Sequence, residues 1–549
     1  IPFRLAGEYA GVKLEGIRFE QLLPYAQPEE GDPFRVVLGD FVTTGDGTGI
    51  VHIAPSFGAD DFRVGKQYDL GTLTLVDKNG RFTDEMGEFA GRFVKPEYDP
   101  DFDHAKDTPV DVDLIVKLKH ENKAFRSEKY EHSYPHCWRT DKPILYYPLD
   151  SWFIRTTAYR EQMIELNNTI NWKPESTGIG RFGNWLENLV DWNLSRSRFW
   201  GTPLPIWRTE DGIEEICIGS VEQLHNEVIK AVEAGIMQHN PLEEFNPGDL
   251  SKENYGKFDL HRPFVDDIVL ASPSGKPMRR EPDLIDVWFD SGAMPYAQYH
   301  YPFNPDKALE SYFPADFIAE GVDQTRGWFF TLHAIAVMLF DSVSYRTCVS
   351  NGLVLDKSGN KMSKRLGNAV DPFETIRKYG PDATRWYMIT NSQPWDNLKF
   401  DIDGITEIQR KFFGTLYNTY AFFALYANID KFRYREKEVP VESRPEIDRW
   451  ILSELNSLIR VVDDSYNDYE PTKAGRAISD FVDEHLSNWY VRLSRRRFWK
   501  GDYTDDKISA YQTLYRCLEV IAKLMAPIAP FFAERLFLDL NQATGRSQA

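Results

Sequence analysis

The sequence predicts a multidomain α/β protein. It has a β-rich region to about residue 155, a parallel-sheet α/β region over 156–400 and an all-helical region over 401–549. Three observations predict this. The first region carries short alternating apolar runs broken every few residues by Gly, Pro and Asp, as strands and turns require. The second alternates strand-like and helix-like patterns, as helices covering a sheet would. In the third, apolar residues recur at helical spacing, with Ile451, Leu455, Leu458, Ile459 and Val462 on one face. A chain of 549 residues exceeds one core and is expected to form three or four domains.

Composition narrows the class. Hydrophobic content of 42% and charged content of 27% are ordinary for a globular protein in water. The longest apolar run, Phe329 to Phe340, is too short to span a bilayer, and no membrane partner is expected. Four widely spaced cysteines argue against a disulfide framework and for a reducing, cytoplasmic compartment. A net charge of −20 opposes nucleic-acid binding over the whole surface but leaves room for a local basic face.

Taken in order, the first informative stretch runs from Gly47 to Phe62. A strand through Ile50 to Ala54 stops at Pro55, and a glycine-bearing loop delivers Asp60 and Asp61 to a helix start. Asp61 either caps that helix or joins His52 in lining a polar pocket. His132, His136 and Cys137 sit in an aromatic-rich stretch. It reads as a packed junction, because a second close ligand pair for zinc is missing. Arg196 and Arg198, beside Trp200 and Gly201, suit a phosphate or a nucleic-acid end.

Residues 208–280 are more polar and read as an insertion. The sheet pattern then resumes at Asp283 to Gly292, and a second strand runs through Asp316 to Glu320. Ligands of open α/β sheets bind at the carboxyl ends of strands. Glu320, Gly321, Asp323 and Gln324 are therefore expected at a polar rim, with Trp288 and Trp328 walling an apolar pocket. Lys361-Met-Ser-Lys-Arg365 follows a strand-like run and a Ser-Gly-Asn turn. Two lysines three apart on a flexible loop suit a polyphosphate, whose charge an ammonium can follow into the transition state. Finally, Asn488 to Lys500 interleaves aromatics with Arg495, Arg496 and Arg497, a pattern suited to RNA.

Together the strings GTGIVHIAP with GADD, YPHCW, SRSRFWGTPLP, DVWFDSG, EGVDQTRGWF, KMSKR and NWYVRLSRRRFW resemble the class I aminoacyl-tRNA synthetases. They lie in the family's order over nearly the whole chain and are most similar to its isoleucyl branch. The resemblance implies a Rossmann-like catalytic domain (second half) over 156–400, with the polar insertion at 208–280 and the KMSKR loop at 361–365. It implies activation of isoleucine with ATP and Mg2+ as substrate, and transfer to tRNA(Ile). Lys361, Ser363 and Lys364 would serve catalysis at the leaving pyrophosphate. Glu320, Gly321, Asp323, Gln324 and Lys364 would hold ATP and the adenylate, and Trp288 and Trp328 the isoleucine side chain. Residues 1–155 would be the later part of an inserted editing domain that hydrolyses mischarged valine, with His52 and Asp61 in its pocket. Editing is needed because one methylene is worth only about 1–3 kcal/mol, a limit for which this family's own isoleucine–valine pair is the usual illustration. Arg196, Arg198, Arg495, Arg496 and Arg497 would contact tRNA, and 401–549 would be a truncated anticodon-binding domain.

The chain departs from the family pattern in three respects. It holds no His-x-Gly-His string, lacks the threonine-rich part of the editing pocket, and is expected to end within or soon after the anticodon-binding helices, without a further C-terminal module. It is therefore expected to be a fragment unable to form the adenylate alone, and a tRNA-binding relative without activation is the competing reading. Related synthetases often carry cysteine-rich knuckles. Here Thr140 follows Cys137, Arg208 and Thr209 follow Trp207, and Ser272-Pro-Ser274 replaces a further pair, so no structural zinc is expected.

Overall fold

The computed structural model describes residues 4–545, apart from 44, 46, 47, 130, 138, 305–308, 364 and 365. The chain divides into two compact units, Ile1–Asp150 and Ser151–Ala549.

The first unit is not β-rich, which corrects the expectation for residues 1–155. Its regular elements are helices, chiefly Ala59–Gln67 and Val110–His120, with short 3-10 turns. Among the described residues its strand-like runs make only isolated bridges, such as Val76 with Phe82 and Arg81 with Phe93. The physical reason is pairing. An extended run becomes a strand only where a neighbour takes up its N–H and C=O groups. Ile50 and Val51 are 63% and 51% exposed and have no such neighbour among the described residues. What holds this unit is a small core of Met86, Phe89 and Val110, flanked by Tyr25, Leu75, Phe82 and Leu114.

The second unit is built on a parallel sheet. Its strands are β1 (Asn171–Lys173), β2 (Ala315–Gly321) and β3 (Tyr345–Asn351), in the order β2-β3-β1. The short helix α1 (Val287–Gly292) lies between β1 and β2 in the chain, and α2 (Trp328–Phe340) crosses from β2 to β3. Every residue of α2 from Phe329 to Val337 is buried, in a core with Trp172, Phe182, Leu186 and Tyr345. A helix that is apolar all round is stable only when covered all round. The strand expected over Asp283–Gly292 is mostly absent. Only Leu284–Ile285 pairs, and it does so antiparallel to Ser195–Arg196. Asp286 ends it by turning its carboxylate onto the Trp288 N–H (3.3 Å) and starting α1. Trp288 thus sits in a helix rather than at a strand end.

The insertion folds as its own layer. Strands Ile206–Thr209, Glu215–Cys217, Val269–Ala271 and Pro277–Arg280 form an antiparallel sheet under the helix Val221–Glu233, around Trp207, Leu224, Val228 and Leu270. Its two hairpin tips are tied by carboxylates. Glu214 accepts from Ser272 Oγ (2.9 Å), Ser274 N (3.1 Å) and Ser274 Oγ, and Asp211 pairs with Lys276 (2.7 Å).

The helical region carries the largest core, and its packing begins before residue 401. Trp386 joins Phe412, Leu416 and Ala474, and Arg476 Nε donates to the Thr390 carbonyl at 2.7 Å. The face expected over Ile451–Val462 is buried at Ile451, Leu455, Leu458 and Val462. Beside it, Asp448 is fully buried and accepts from Tyr490 Oη (2.8 Å), Ser509 Oγ and both terminal nitrogens of Arg497 (2.6 and 2.9 Å). Arg497 also pairs with Asp506 (2.9 Å). The expectation of Arg497 as an RNA contact is therefore corrected: Asp448 and Asp506 hold both terminal nitrogens of its guanidinium inside the fold.

Breaking a buried pair strands the surviving charge, which typically costs about 3–5 kcal/mol. Asp448→Ala is expected to lose stability on that scale in urea unfolding, and a loss below about 1 kcal/mol would show the hub to be dispensable. A second expectation concerns His333 on α2, whose Nε2 lies 2.8 Å from the Met163 carbonyl. Burial pulls its imidazole down to about 4, although the Met163 carbonyl opposes the shift. The unfolded chain takes up a proton near pH 6.5 that the folded one refuses, so this contribution is complete above 6.5 and fades as pH falls toward 4. Wild type should lose about 3 kcal/mol more than His333→Gln across that window in paired urea titrations; parallel curves would refute it.

Candidate active site

The site is assembled by strand register. Gly321 at the end of β2 pairs with Asn351 at the end of β3. This brings Glu320–Gln324 and the segment leading to Lys361 to one carboxyl edge of the sheet, where open α/β sheets bind ligands. From Asn351 the chain runs into Val354–Leu355, which pairs with Leu398–Lys399, and Leu355 bridges to Lys361.

At that edge Glu320 and Asp323 are exposed, and neither is ion-paired among the described residues. Glu320 Oε1 accepts from the Gly321 N–H (3.0 Å) and Asp323 Oδ2 from Gln324 Nε2 (3.0 Å). Gln324 Oε1 accepts from the Trp328 N–H (3.0 Å), so one amide links the rim to the start of α2. Trp328 Nε1 donates to the Ser291 carbonyl at 2.9 Å, joining α2 to α1. The Trp288 ring lies over Gly327, where a Cβ would meet its Cη2 at 3.2 Å and Gln324 Oε1 at 2.9 Å. Any larger residue at 327 would push the indole away. The two tryptophans therefore flank the same glycine turn. Trp288 is 39% exposed, Trp328 leans on the core, and among the described residues their rings make no mutual contact.

Trp288 is held from below by a residue that sequence reasoning missed. Asp286, 4% exposed, accepts from Trp192 Nε1 (3.1 Å) and Arg196 Nη2 (2.8 Å) as well as from Trp288 N. Arg196 Nη1 donates to the carbonyls of Asn193 and Ser195. Arg196 was expected to bind phosphate, but its charge is spent inside the protein. Arg198 is exposed, and its guanidinium makes no hydrogen bond or ion pair among the described residues.

The cationic loop has a clasp of its own. Asp356 Oδ1 accepts from Ser358 N and Asn360 N, and Oδ2 from Asn368 Nδ2 (2.9 Å). Asn368 also accepts from Ser363 N (2.9 Å) and donates to the Lys361 carbonyl (3.2 Å). The Asn368 amide and the Asn360 N–H hold the Asp356 carboxyl below its usual range. Met362 packs on the large core while Lys361 stays exposed. Lys364 and Arg365 lie outside the described residues. The Asp-x-x-Gly-Asn spelling at 356–360 was a legible turn signal, but its link to Asn368 was not.

In the first unit, no hydrogen bond or ion pair joins His52 to Asp61 among the described residues. Asp61 Oδ1 accepts from Ala54 N (3.0 Å), clipping the loop to helix Ala59–Gln67, while His52 is exposed. A cleft of about 450 Å³ between Glu30, Pro55, Phe62 and Asp69 includes neither. On the helical region, Arg495 and Arg496 are exposed beside Trp489 and Trp499, which are 58% and 55% exposed.

The second unit thus combines a parallel sheet with a polar carboxyl edge, a hairpin carrying Lys361 after its strand β3, and a helical region beyond. The family model for tRNA synthetases class I (I, L, M and V) matches residues 113–401, and that for the anticodon-binding domain of tRNA ligase matches 448–548. The chain belongs to the class I tRNA synthetases. It is 65% identical to the isoleucine--tRNA ligase of Bacteroides fragilis and 46% identical to that of Clostridium novyi, over 100% and 98% of this chain. The chain spans about half the length of these curated relatives, 50% and 48%. Its fold is similar to Mycobacterium tuberculosis methionyl-tRNA synthetase bound by methionyl-adenylate. That likeness has a TM-score of 0.50 at 16% identity, and covers 75% of this chain and 68% of that one.

Removing the Asn368 amide deletes three loop hydrogen bonds, each worth about 1 kcal/mol or less at a partly exposed site. Asn368→Ala is expected to raise the rate of tryptic cleavage within 361–368 about tenfold, with global unfolding nearly unchanged. Equal cleavage rates would show that the clasp does not order the loop.

Proposed function

We propose that this chain acts as part of an isoleucine--tRNA ligase, which activates isoleucine with ATP and transfers it to tRNA(Ile). The observation that carries this reading is the 65% identity over the whole chain to a protein of that name. The geometry supports it. Glu320, Gly321, Asp323 and Gln324 offer acceptors for an α-ammonium and ribose hydroxyls, and Trp288 and Trp328 offer apolar surface beside them. Lys361, with Ser363 and Lys364 on the same loop, supplies positive charge to the departing pyrophosphate. Mg2+ enters as part of the nucleotide substrate.

On this reading 156–400 is the catalytic domain and 401–549 the anticodon-binding domain, with Arg495 and Arg496 facing RNA. Residues 1–155 belong to a domain that hydrolyses mischarged valine, in which His52 is the available polar group and Asp61 holds the loop. The protein works in the cytoplasm, in keeping with its four free cysteines. It needs no structural zinc, because Glu214 with Ser272 and Ser274, and Asp211 with Lys276, fasten the hairpin tips.

The test is calorimetric binding of non-hydrolysable aminoacyl-adenylate analogues to the 549-residue chain. The isoleucyl analogue should bind about fourfold tighter than the valyl one, the worth of one buried methylene at about 0.8 kcal/mol. Trp288→Ala should weaken both at least tenfold. Equal affinity for all side chains, or none for any with the fold intact, would reject the reading.

A further inference from the structure

The turn Val322–Arg326, which carries Asp323 and Gln324, is five residues of 3-10 helix. Such a turn closes few hydrogen bonds of its own, and their geometry is poor, so its shape depends on outside anchors. One anchor is Gln324, tied to the Trp328 N–H. The other reaches in from a distant segment. Thr325 is fully buried; its Oγ1 donates to the Val322 carbonyl (2.8 Å) and accepts from Arg181 Nε (2.9 Å), 144 residues earlier in the chain. Arg181 belongs to the π-type turn Thr177–Phe182. In the helix that follows, the Trp185 ring takes the Arg326 guanidinium at 5.4 Å. The two segments are thus joined twice, at Arg181–Thr325 and at Trp185–Arg326.

The core does not depend on these ties. Phe182 and Phe329, both fully buried, meet the same Trp172 ring at 5.1 and 5.9 Å. Gly178 lies so close to that indole that a Cβ would meet it at 2.3 Å. The π-type turn is therefore fixed by its own packing, and Arg181, exposed to water, adds an orienting bond at its edge. What that bond orients is Asp323. On one side stands the Val322 carbonyl, held by Thr325; on the other stands Gln324, whose Nε2 donates to Asp323 Oδ2 (3.0 Å). Asp323 Oδ1 rests over Gly321, where a Cβ would come within 2.6 Å of it. Among the described residues no cation pairs with this exposed carboxylate. Its charge is open to a ligand while its direction is set from both sides.

We propose that Arg181 is a positioning residue for the aminoacyl-adenylate: through Thr325 it fixes the turn that aims Asp323 and Gln324 at the ligand's polar groups. The proposal rests on the ligase reading above and deepens it by naming what holds the acidic rim in place. On this assignment Arg181 touches no ligand, and one buried hydroxyl passes on its effect. Hydrogen bonds to an ionised carboxylate are strong but geometrically exacting, and binding groups must be held within about 0.5 Å of their productive place. A turn freed from Arg181 would keep its residues and lose their aim.

The experiment measures calorimetric binding of the 549-residue chain to three probes: isoleucyl-sulfamoyl adenosine, the same compound without its α-amino group, and the same compound without its ribose hydroxyls. Arg181→Ala and Thr325→Val should each weaken the complete probe about fivefold, the worth of one net hydrogen bond. The penalty should vanish for the counterpart that lacks the group Asp323 or Gln324 grips. Thr325→Ser, which keeps the hydroxyl, should restore most of the affinity. The double variant should bind like Thr325→Val alone, because the two residues act in series. Trp288→Ala, acting on the side-chain wall, should weaken all three probes alike. An Arg181→Ala penalty that is equal for all three probes, or absent from all, would overturn the positioning role while leaving the ligase reading standing. Additive losses in the double variant would overturn it too. Should the buried Thr325→Val variant fail to fold, Arg181→Ala, at an exposed position, carries the test alone. A wild-type chain that binds none of the probes would overturn the ligase reading and the positioning role with it.

Discussion

The parallel pairing of β2 with β3 is the constraint on which the rest of the second unit depends. Parallel strands cannot be joined by a tight turn, so the chain must cross the sheet, and the crossing element must be buried to be stable. Helix α2 meets that demand with side chains that are apolar around its whole circumference. Once it is buried, the register is set, and Gly321 and Asn351 end side by side. The acidic rim and the start of the cationic hairpin meet there although they are distant in sequence. Neither segment makes this edge by itself; the buried helix between them does.

A second theme is the use of buried or half-buried carboxylates as pegs. Asp286 gathers Trp192, Arg196 and Trp288; Asp356 gathers the turn and Asn368; Asp448 gathers Tyr490, Arg497 and Ser509; Glu214 gathers the two serines of a hairpin tip. Each satisfies several donors at once. An ionised carboxylate can do this because it offers about four lone-pair directions. The cost of burying it is offset where a guanidinium comes with it, as at Asp286 and Asp448. Asp286 does this directly behind Trp288, fixing its orientation from a buried position.

This explains which readings were legible in the sequence. Helical faces such as Ile451–Val462 were legible because burial repeats at the helical period. The strand over Asp316–Glu320 and the turn before Lys361 were legible because their local chemistry is strong. Arg196 and Arg497 were misread for a common reason. A one-dimensional pattern shows that an arginine is near aromatics, but not whether a carboxylate far along the chain, 90 residues away for Asp286 and 49 for Asp448, has already claimed it. The first unit was misread as β-rich for a related reason, since alternation predicts a face but cannot supply the neighbouring strand that makes a ladder.

The same logic separates structural from available charge over the whole surface. A net charge of −20 sets no pairing for any one arginine; whether a carboxylate reaches it is decided locally by the fold. Arg198, Arg495 and Arg496 are exposed beside aromatic rings, whereas Arg196 and Arg497, at most two residues from them, are tied down. Within each of the two motifs the chain alternates an arginine that builds the scaffold with arginines that the scaffold presents. A substitution of the first kind would act through the fold, and one of the second through salt-dependent affinity. Treating each motif as a uniform basic patch would merge two physically different effects.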